Sequence, residues 1–521
     1  MSLSDVESEA KAPGIGVRFP GAVTTLAIVV VLVWVAALFI PSGRYLSDAD
    51  GSPIPGTYEQ TASPLSLGET LQQLVLAPIN GIYGLRSIHT ETINTEGVGR
   101  IFGQIGIIVF IMSIGAFISV SFSTRSLEVA VAALAHRLRD KGWLLIASVM
   151  VLFSLLGSTM GFSVETLGFY ALFLPLMAAL GFDRLVTASM IILGALVGVM
   201  ASTVNPFSIG VAVGEAGISI GDGIVLRAVL WVVLTTMAVG WVLRYAAKIR
   251  QDPGASSVGW DDDDATNDPA PDQAMLKERE PLTTTQKWVL AITALAFGLM
   301  IFSVIPWASL LGGHAGPADY DVTHTVAGVQ PLWFELNWWF PQLAMLFILA
   351  SVLVGIVAGK GEKETVRLIA AGASDMMGPA MVVLLAGGVS AILTNTQTLD
   401  TVLFSMEKMV SGASAAAFTL LTVLVNIPLG ALIPSSSGHG ALATPLLAPL
   451  ADFAQVSRAT TITAWVVGHG LALIIAPTSV VLVGGLAIAK VGYNQYLRFV
   501  WPLWLAMMVV ASAIIAVAAT L

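Results

Sequence analysis

Three ionisable side chains of this sequence stand in apolar stretches where charge is costly. They are Glu165, in Ser163-Val-Glu-Thr, and His439 and His469, each inside a Gly-His-Gly triplet. An ionisable group in such a place is a functional hypothesis by default. Glu165 could take a coupling proton, orient its segment or meet an ammonium group; the plainer reading is a hydrogen-bonded structural carboxylate. The two histidines could carry protons near neutrality or pair with a carboxylate, with glycine on both sides letting a ligand come close. The plainer reading is a neutral ring donating to a carbonyl of its own hairpin. Two histidines without a third ligand are too few for a metal centre.

Neutral oxygens gather around the same regions. Ser158, Thr159, Ser202, Thr203 and Asn205, next to Pro206, lie in the first half. Ser435, Ser436, Ser437, Thr444, Thr478 and Ser479, next to Pro477, lie in the second, and Asn395 either faces the same path or ends a helix. Hard oxygen donors suit an alkali cation as well as they suit a substrate carboxylate. Two sets could hold Na⁺: Ser158, Thr159 and Asn205, and Ser436, Thr478 and Ser479. Na⁺ as a coupling ion is the one cofactor expected.

What must position these residues follows from composition. The chain has 521 residues, 56% hydrophobic and 11% charged, with a mean hydropathy of +0.84. A soluble domain carries about 25% charged residues, so this is an all-α polytopic membrane protein, with the lipid bilayer as its surroundings. The absence of Cys excludes disulfides, thiol catalysis and thiolate metal sites. A net charge of −9 argues against nucleic acid as a partner. No His-Glu-x-x-His, Gly-x-Ser-x-Gly or Walker pattern occurs, so an enzyme is not expected.

Apolar runs predict spans at Gly21–Ile40, Ile101–Phe122, Trp143–Leu156, Leu185–Thr203 and Leu226–Ala246 in a first half, residues 21–250. A second half, 287–521, has spans at Trp288–Leu311, Pro341–Ala358, Met377–Leu393, Ala415–Val425, a broken Thr461–Ile488 and a final run to the end. Residues 1–20 form a polar tail. Residues 251–286 are an acidic linker expected to be disordered; in 251–280, nine acids stand against two bases, a net of −7. Basic residues Arg244, Lys248 and Arg250 place the tail and linker in the cytoplasm by the positive-inside rule. The C-terminus then falls outside a bacterial-type cytoplasmic membrane.

The two halves share an order of features. A Gly/Ser-rich hairpin near 157–177 precedes a helix broken near 201–208, and a hairpin near 428–449 precedes a helix broken near 466–480. Between the inward crossing and the hairpin the first half has one span, Trp143–Leu156. The second has two, Met377–Leu393 and Ala415–Val425. One extra crossing makes the hairpins enter from opposite faces, the arrangement of an inverted-repeat secondary transporter. Gly, Ser and Pro also help helices pack in lipid, but two matched breaks in order favour a transport site over packing. A passive channel is the distant alternative, since channels usually build selectivity from oligomeric rings.

The residues at these places resemble a family. Val164-Glu-Thr, Gly181-Phe-Asp-Arg184, Ser202-Thr-Val-Asn-Pro-Phe-Ser208, Gly221-Asp-Gly223, Gly372-Ala-Ser-Asp375, Ile433-Pro-Ser-Ser-Ser-Gly438, Ala448-Pro-Leu-Ala-Asp452 and Ala476-Pro-Thr-Ser479 are similar to the YfcC branch of the anaerobic C4-dicarboxylate carrier (DcuC-like) family. The resemblance implies the ion-transporter superfamily fold, an elevator-type arrangement with two re-entrant hairpins and broken helices, and a homodimer. It implies secondary transport of a small carboxylate, a C4-dicarboxylate or related organic acid, coupled to Na⁺ or H⁺ or by exchange, with an amino-acid transporter or antiporter as the alternative. Where relatives commonly show Gln and Asp this chain has His439 and His469, and where they often carry Ala-Arg-Gly it has Ala386-Gly-Gly388. Substrate identity is therefore not carried over.

Overall fold

Uninterrupted apolar stretches become helices because a helix satisfies its backbone internally, which lipid requires. The computed structural model describes residues 22–46, 54–83, 105–138, 141–260, 281–311, 332–410 and 413–520. The tail 1–20, linker residues 261–280, and His89, His314 and His324 lie outside the described residues. Helix α1 (Ala22–Ala37) leads to two short antiparallel strands, β1 (Gly43–Arg44) and β2 (Glu59–Gln60), with Gly43 opposite Gln60. Then come α2 (Leu67–Tyr83), α3 (Ile105–Phe122), α4 (Ser126–Arg137), α5 (Gly142–Met160), a 3₁₀ turn (Val164–Phe169) and α6 (Tyr170–Ala179). The half closes with α7 (Arg184–Met200), a π turn (Pro206–Gly210), α8 (Val211–Ala216) and α9 (Ile224–Gln251).

The second half begins with α10 (Thr284–Val304), α11 (Trp307–Leu311), α12 (Phe340–Val357) and α13 (Gly361–Asp375). It continues through α14 (Met377–Asn395), α15 (Leu399–Val410), α16 (Ala415–Leu432) and α17 (Ser436–Phe453). It ends with α18 (Arg458–Ile475), α19 (Val480–Ile488) and α20 (Tyr493–Ala518). Taking α18 with α19 as one, nine helices among the described residues are long and apolar enough to cross a membrane.

Several expectations change. Helix α1 covers 16 residues, roughly 24 Å at 1.5 Å per residue, so it is shorter than the expected Gly21–Ile40 span. The expected spans Trp143–Leu156 and Ala415–Val425 are α5 and α16, both longer than expected and both apolar and long enough to cross a membrane, and each runs straight into its break. Gly157–Met160, read as the opening of a hairpin, is the last turn of α5, and the chain breaks only at Gly161–Ser163.

The linker is also shorter than the charge pattern suggested, because its two ends are built. Residues Pro253–Ala255 form a 3₁₀ turn, the Ser256 hydroxyl donates to Asp183 at 2.8 Å, and the Ser257 amide donates to the Tyr245 hydroxyl at 3.0 Å. At the far end Thr283 and Gln286 form a reciprocal capping box that starts α10.

Close helix packing around the breaks depends on missing side chains. Helix α5 lies on α7 with Gly198 so near that a Cβ there would stand 2.1 Å from the Ser154 carbonyl oxygen. Helix α16 lies on α18 in the same way, with Gly468 giving 2.5 Å to the Val423 carbonyl. Helix α9 covers the first pair and α20 the second. The two assemblies meet where α7 crosses α18: a Cβ on Gly470 would lie 2.3 Å from Met200 Cα. Elsewhere α3 packs on α12 through Phe110, Phe117 and Phe347 and on α13 where Gly115 meets Gly372, and α1 and α2 pack on α14.

The segment around the two strands clasps α15. The Tyr45 amide donates to Asp400 at 2.9 Å, its hydroxyl donates to Glu407 at 2.5 Å, and Tyr58 stacks on Phe404 at 4.2 Å. Burial, reinforced by the Glu407 carboxylate, raises the Tyr45 phenol above its ordinary value. Burial also raises Asp400, partly opposed by the Tyr45 N–H that it accepts.

Candidate functional site: two helix breaks and a buried imidazole pair

In the first half α7 stops at Met200 and the chain runs non-helically through 201–205 before the π turn. Pro206, without an N–H, and Asn205, whose side chain accepts from the Phe207 amide at 2.9 Å, start that turn. The break is held against the last turn of α5. Ser158 donates from its hydroxyl to the Ala201 carbonyl at 2.9 Å, and its hydroxyl and carbonyl oxygens each accept from the Thr203 amide at 3.0 Å. The Thr203 hydroxyl donates to the Ser158 carbonyl at 3.3 Å. Asn205 donates to Ser202 at 3.1 Å, and Ser208 donates to the same hydroxyl at 3.0 Å. Ser158, Ser202, Thr203 and Asn205 are thus brought together, and Gly161 abuts Asn205.

Two sequence candidates stand apart from that knot. Thr159 turns its hydroxyl back to the Leu155 carbonyl of its own helix at 2.7 Å. Glu165 is exposed in the 3₁₀ turn, and its carboxylate accepts from the Ser163 amide at 3.0 Å, so it pins the hairpin break. Of the first Na⁺ set, Ser158 and Asn205 belong to the knot and Thr159 does not share in it.

The second half repeats the design with other residues. Helix α18 stops at Ile475, and Ala476–Ser479 separate it from α19, which Ser479 caps by accepting from the Leu482 amide at 3.5 Å. The Thr478 hydroxyl donates to the Ala431 carbonyl in the last turn of α16 at 2.6 Å, as Thr203 does to Ser158. Pro477 is exposed at the rim. Ser435 caps α17 by accepting from the Gly438 amide at 3.2 Å, and its hydroxyl lies 3.3 Å from that of Ser437. Asn395 ends α14 beside a turn that holds the clasp, where Ser42 donates to the Thr396 carbonyl at 2.8 Å.

In each half the next long helix reaches back to the break. Arg227, in the first turn of α9, donates from Nε to the Thr203 carbonyl at 2.9 Å and from Nη2 to the Ile220 carbonyl. Tyr493, which opens α20, donates to the Ile475 carbonyl at 2.5 Å. The sequence reading passed over both residues. An arginine at the start of an apolar run was the available signal for Arg227; nothing in the sequence distinguishes Tyr493.

His439 and His469 converge although they stand on different helices. Both lie within helices, in the first turn of α17 and the middle of α18, rather than in the breaks themselves. Their Nδ1 atoms are 2.9 Å apart, and Ser436 Oγ is 3.0 Å from His469 Nε2. The rings are 1% and 0% exposed. Trp465 lies parallel to His469 at 5.9 Å and edge-on to His439 at 5.6 Å. Among the described residues His439 Nε2, Thr444 Oγ1, Trp465 Nε1 and Asn426 Oδ1 are buried without a hydrogen-bond partner. These four atoms lie on α16, α17 and α18, and Gly470 sets α18 against Met200, the residue preceding the first break.

Comparison with known proteins agrees on the kind of molecule. A protein of Haemophilus influenzae without an assigned function is 28% identical over 97% of both chains. The putative basic amino acid antiporter YfcC of Escherichia coli is 28% identical over 80% of this chain and 78% of its own. Among solved structures, the YdaH transporter of Alcanivorax borkumensis superposes with a TM-score of 0.66 at 15% identity, covering 96% of this chain and 98% of that one. MtrF of Neisseria gonorrhoeae, described within a class of antimetabolite efflux pumps, gives 0.64 at 15% identity, covering 97% and 96%. The fold is therefore that of membrane transporters. The family of C4-dicarboxylate anaerobic carriers matches residues 19–520, and the chain belongs to that DcuC family.

Proposed function

We propose that this protein is a secondary active transporter, rather than a catalyst, that moves a small carboxylate through a site formed where the two broken helices cross. The observation that carries the reading is the repeated construction. In each half a threonine of the broken segment donates to the last turn of a hairpin arm, and the next helix caps the same break. Broken backbone at membrane depth persists only where it is buried or lines a cavity. Helix ends there offer carbonyls to a cation and amides to an anion. With α5 and α16 counted as hairpin arms, no crossing intervenes between α3 and the first hairpin, whereas α14 intervenes between α12 and the second. The difference of one crossing is unchanged, so the hairpins enter from opposite faces as an inverted repeat does. An elevator motion of the two hairpin-and-broken-helix units against the remaining helices follows from that arrangement, and a homodimer would hold those remaining helices fixed. Na⁺, H⁺ or exchange would drive it across the cytoplasmic membrane.

A basic amino acid is the second reading, favoured by the description of the YfcC relative. Counterflow in proteoliposomes with labelled succinate, short monocarboxylates, arginine and lysine, each with and without Na⁺, separates the two. Saturable counterflow of a carboxylate supports the first reading and of arginine or lysine the second. Conductance without saturation would overturn both in favour of a channel.

A further inference from the structure

We propose that His439 and His469 share a single proton between their Nδ1 atoms and form, with Ser436, the proton-coupling relay of this transporter; the proposal rests on the reading of the protein as a secondary transporter. Two nitrogens 2.9 Å apart cannot both present lone pairs, which would repel, nor both carry hydrogens, which would collide. One proton must lie between them. The arrangement then has two forms. In one, His439 carries the Nδ1 proton, His469 accepts it, and His469 Nε2–H donates to Ser436 Oγ. In the other, His469 carries the Nδ1 proton, His439 accepts it, and Ser436 donates its hydroxyl to His469 Nε2.

Conversion between the forms moves a proton through the pair. A proton arrives on His439 Nε2, which has no partner among the described residues. The Nδ1 proton of His439 passes to His469 Nδ1, His469 Nε2 gives its proton to Ser436 Oγ, and Ser436 releases its own hydroxyl proton. One proton enters, one leaves, and no bond other than N–H and O–H is made or broken. Ser436 is half-buried at the hairpin break whereas both rings are buried, so the relay joins the rim of the break to the buried His439 Nε2.

Among the charged groups of the surrounding elements, Arg227 of α9 donates to the Thr203 carbonyl, three residues past Met200, and Asp400 and Glu407 of α15 are engaged by Tyr45. On α17, Asp452 lies thirteen residues beyond His439, roughly 20 Å along the helix, and holds Arg458, which opens α18 eleven residues before His469. Glu215 is at the end of α8 and Arg184 at the start of α7, sixteen residues before Met200; α14 and α16 carry no charged residue, and Arg498 and Tyr496 lie in the first turns of α20. Among the described residues His439 is the titratable side chain within hydrogen-bond distance of His469.

Two measurements test this. In the ¹⁵N-histidine-labelled full chain in nanodiscs, one proton should correlate with two Nδ1 nitrogens, and His439→Gln should remove that correlation while the His469 ring signals remain. Two separate Nδ1 protons, or none, would overturn the pairing. In pyranine-loaded proteoliposomes, flux of labelled succinate or L-arginine should move protons in the wild type. Proton movement per substrate should be lost in His439→Gln and His469→Gln while counterflow of the same label stays measurable. Proton movement per substrate at the wild-type level in either variant, or substrate flux without proton movement in the wild type, would also overturn it. A wild-type chain that carries neither probe counts against the transporter reading and leaves the nitrogen correlation to decide the pair.

Discussion

At the scale of single residues, the side chains that organise the site are mostly those whose partner is a carbonyl. Arg227 spans two carbonyl groups with a planar fork, and an ammonium group on a flexible stem cannot reproduce that geometry. Arg227→Lys should lower counterflow about tenfold, the equivalent of about one lost hydrogen bond to a charged group, with unchanged membrane expression; transport at wild-type level would mean that the fork positions nothing. The clasp on α15 supplies a pH prediction. Tyr45 is raised, so its contribution is complete below the ordinary phenol range and is lost as alkaline pH ionises it against Glu407. Asp400 is raised as well, so its contribution is complete below the ordinary carboxylate range and falls as pH rises through its folded value. Asp400→Asn should therefore raise the melting temperature at neutral pH and flatten its rise toward acid, which a thermal-shift series across pH would show. The histidines, the hydroxyl clusters and Glu165 were legible from residue type and flanking glycine. Their partners were not, because a hydrogen bond between positions 439 and 469, or 227 and 203, depends on helix crossings that no local pattern encodes.

At the scale of elements, the fold relies on glycines where two helices would otherwise collide. Gly470→Ala would place a methyl group 2.3 Å from Met200 Cα, and overpacking of this kind costs about 1–3 kcal/mol. Gly240→Ala, on α9 with no atom near its Cβ position, should be neutral or gain about 1 kcal/mol from helix propensity. Thermal unfolding of both variants in detergent checks the contrast, and equal melting temperatures would refute it. Hydropathy located most of the long helices, since apolar length is a one-dimensional signal. It placed α5 and α16 but set their ends too early, because both stay apolar for several residues beyond the expected bounds. Nor could it anticipate that Gly157–Met160 stays helical: the tight contact with α7 needs a small residue inside the helix.

At the scale of the whole molecule, the acidic linker joins two halves whose other charge nearly cancels. The segment 252–260 is fixed to the body through Asp183, Tyr245 and Gln495, the last of which donates to the Ser257 carbonyl at 3.2 Å. Asp183 also caps α7 by accepting from the Val186 amide at 2.8 Å. Deleting residues 262–279 should leave melting temperature and transport within error. Asp183→Ala should cost about 2–4 kcal/mol through a lost cap and buried donors left unpaired, seen as a lower melting temperature. If the deletion proves as damaging as Asp183→Ala, the linker has a role that its composition does not reveal.

The contact between Gly470 and Met200 also has a mechanical meaning. Interleaved backbones act like meshed teeth, because neither helix can slide past the other without forcing main chain into main chain. The two broken helices consequently share one degree of freedom, and a displacement that uncovers one break must carry the other with it. For the transport cycle proposed above, opening toward one face and closing toward the opposite face would then be one event.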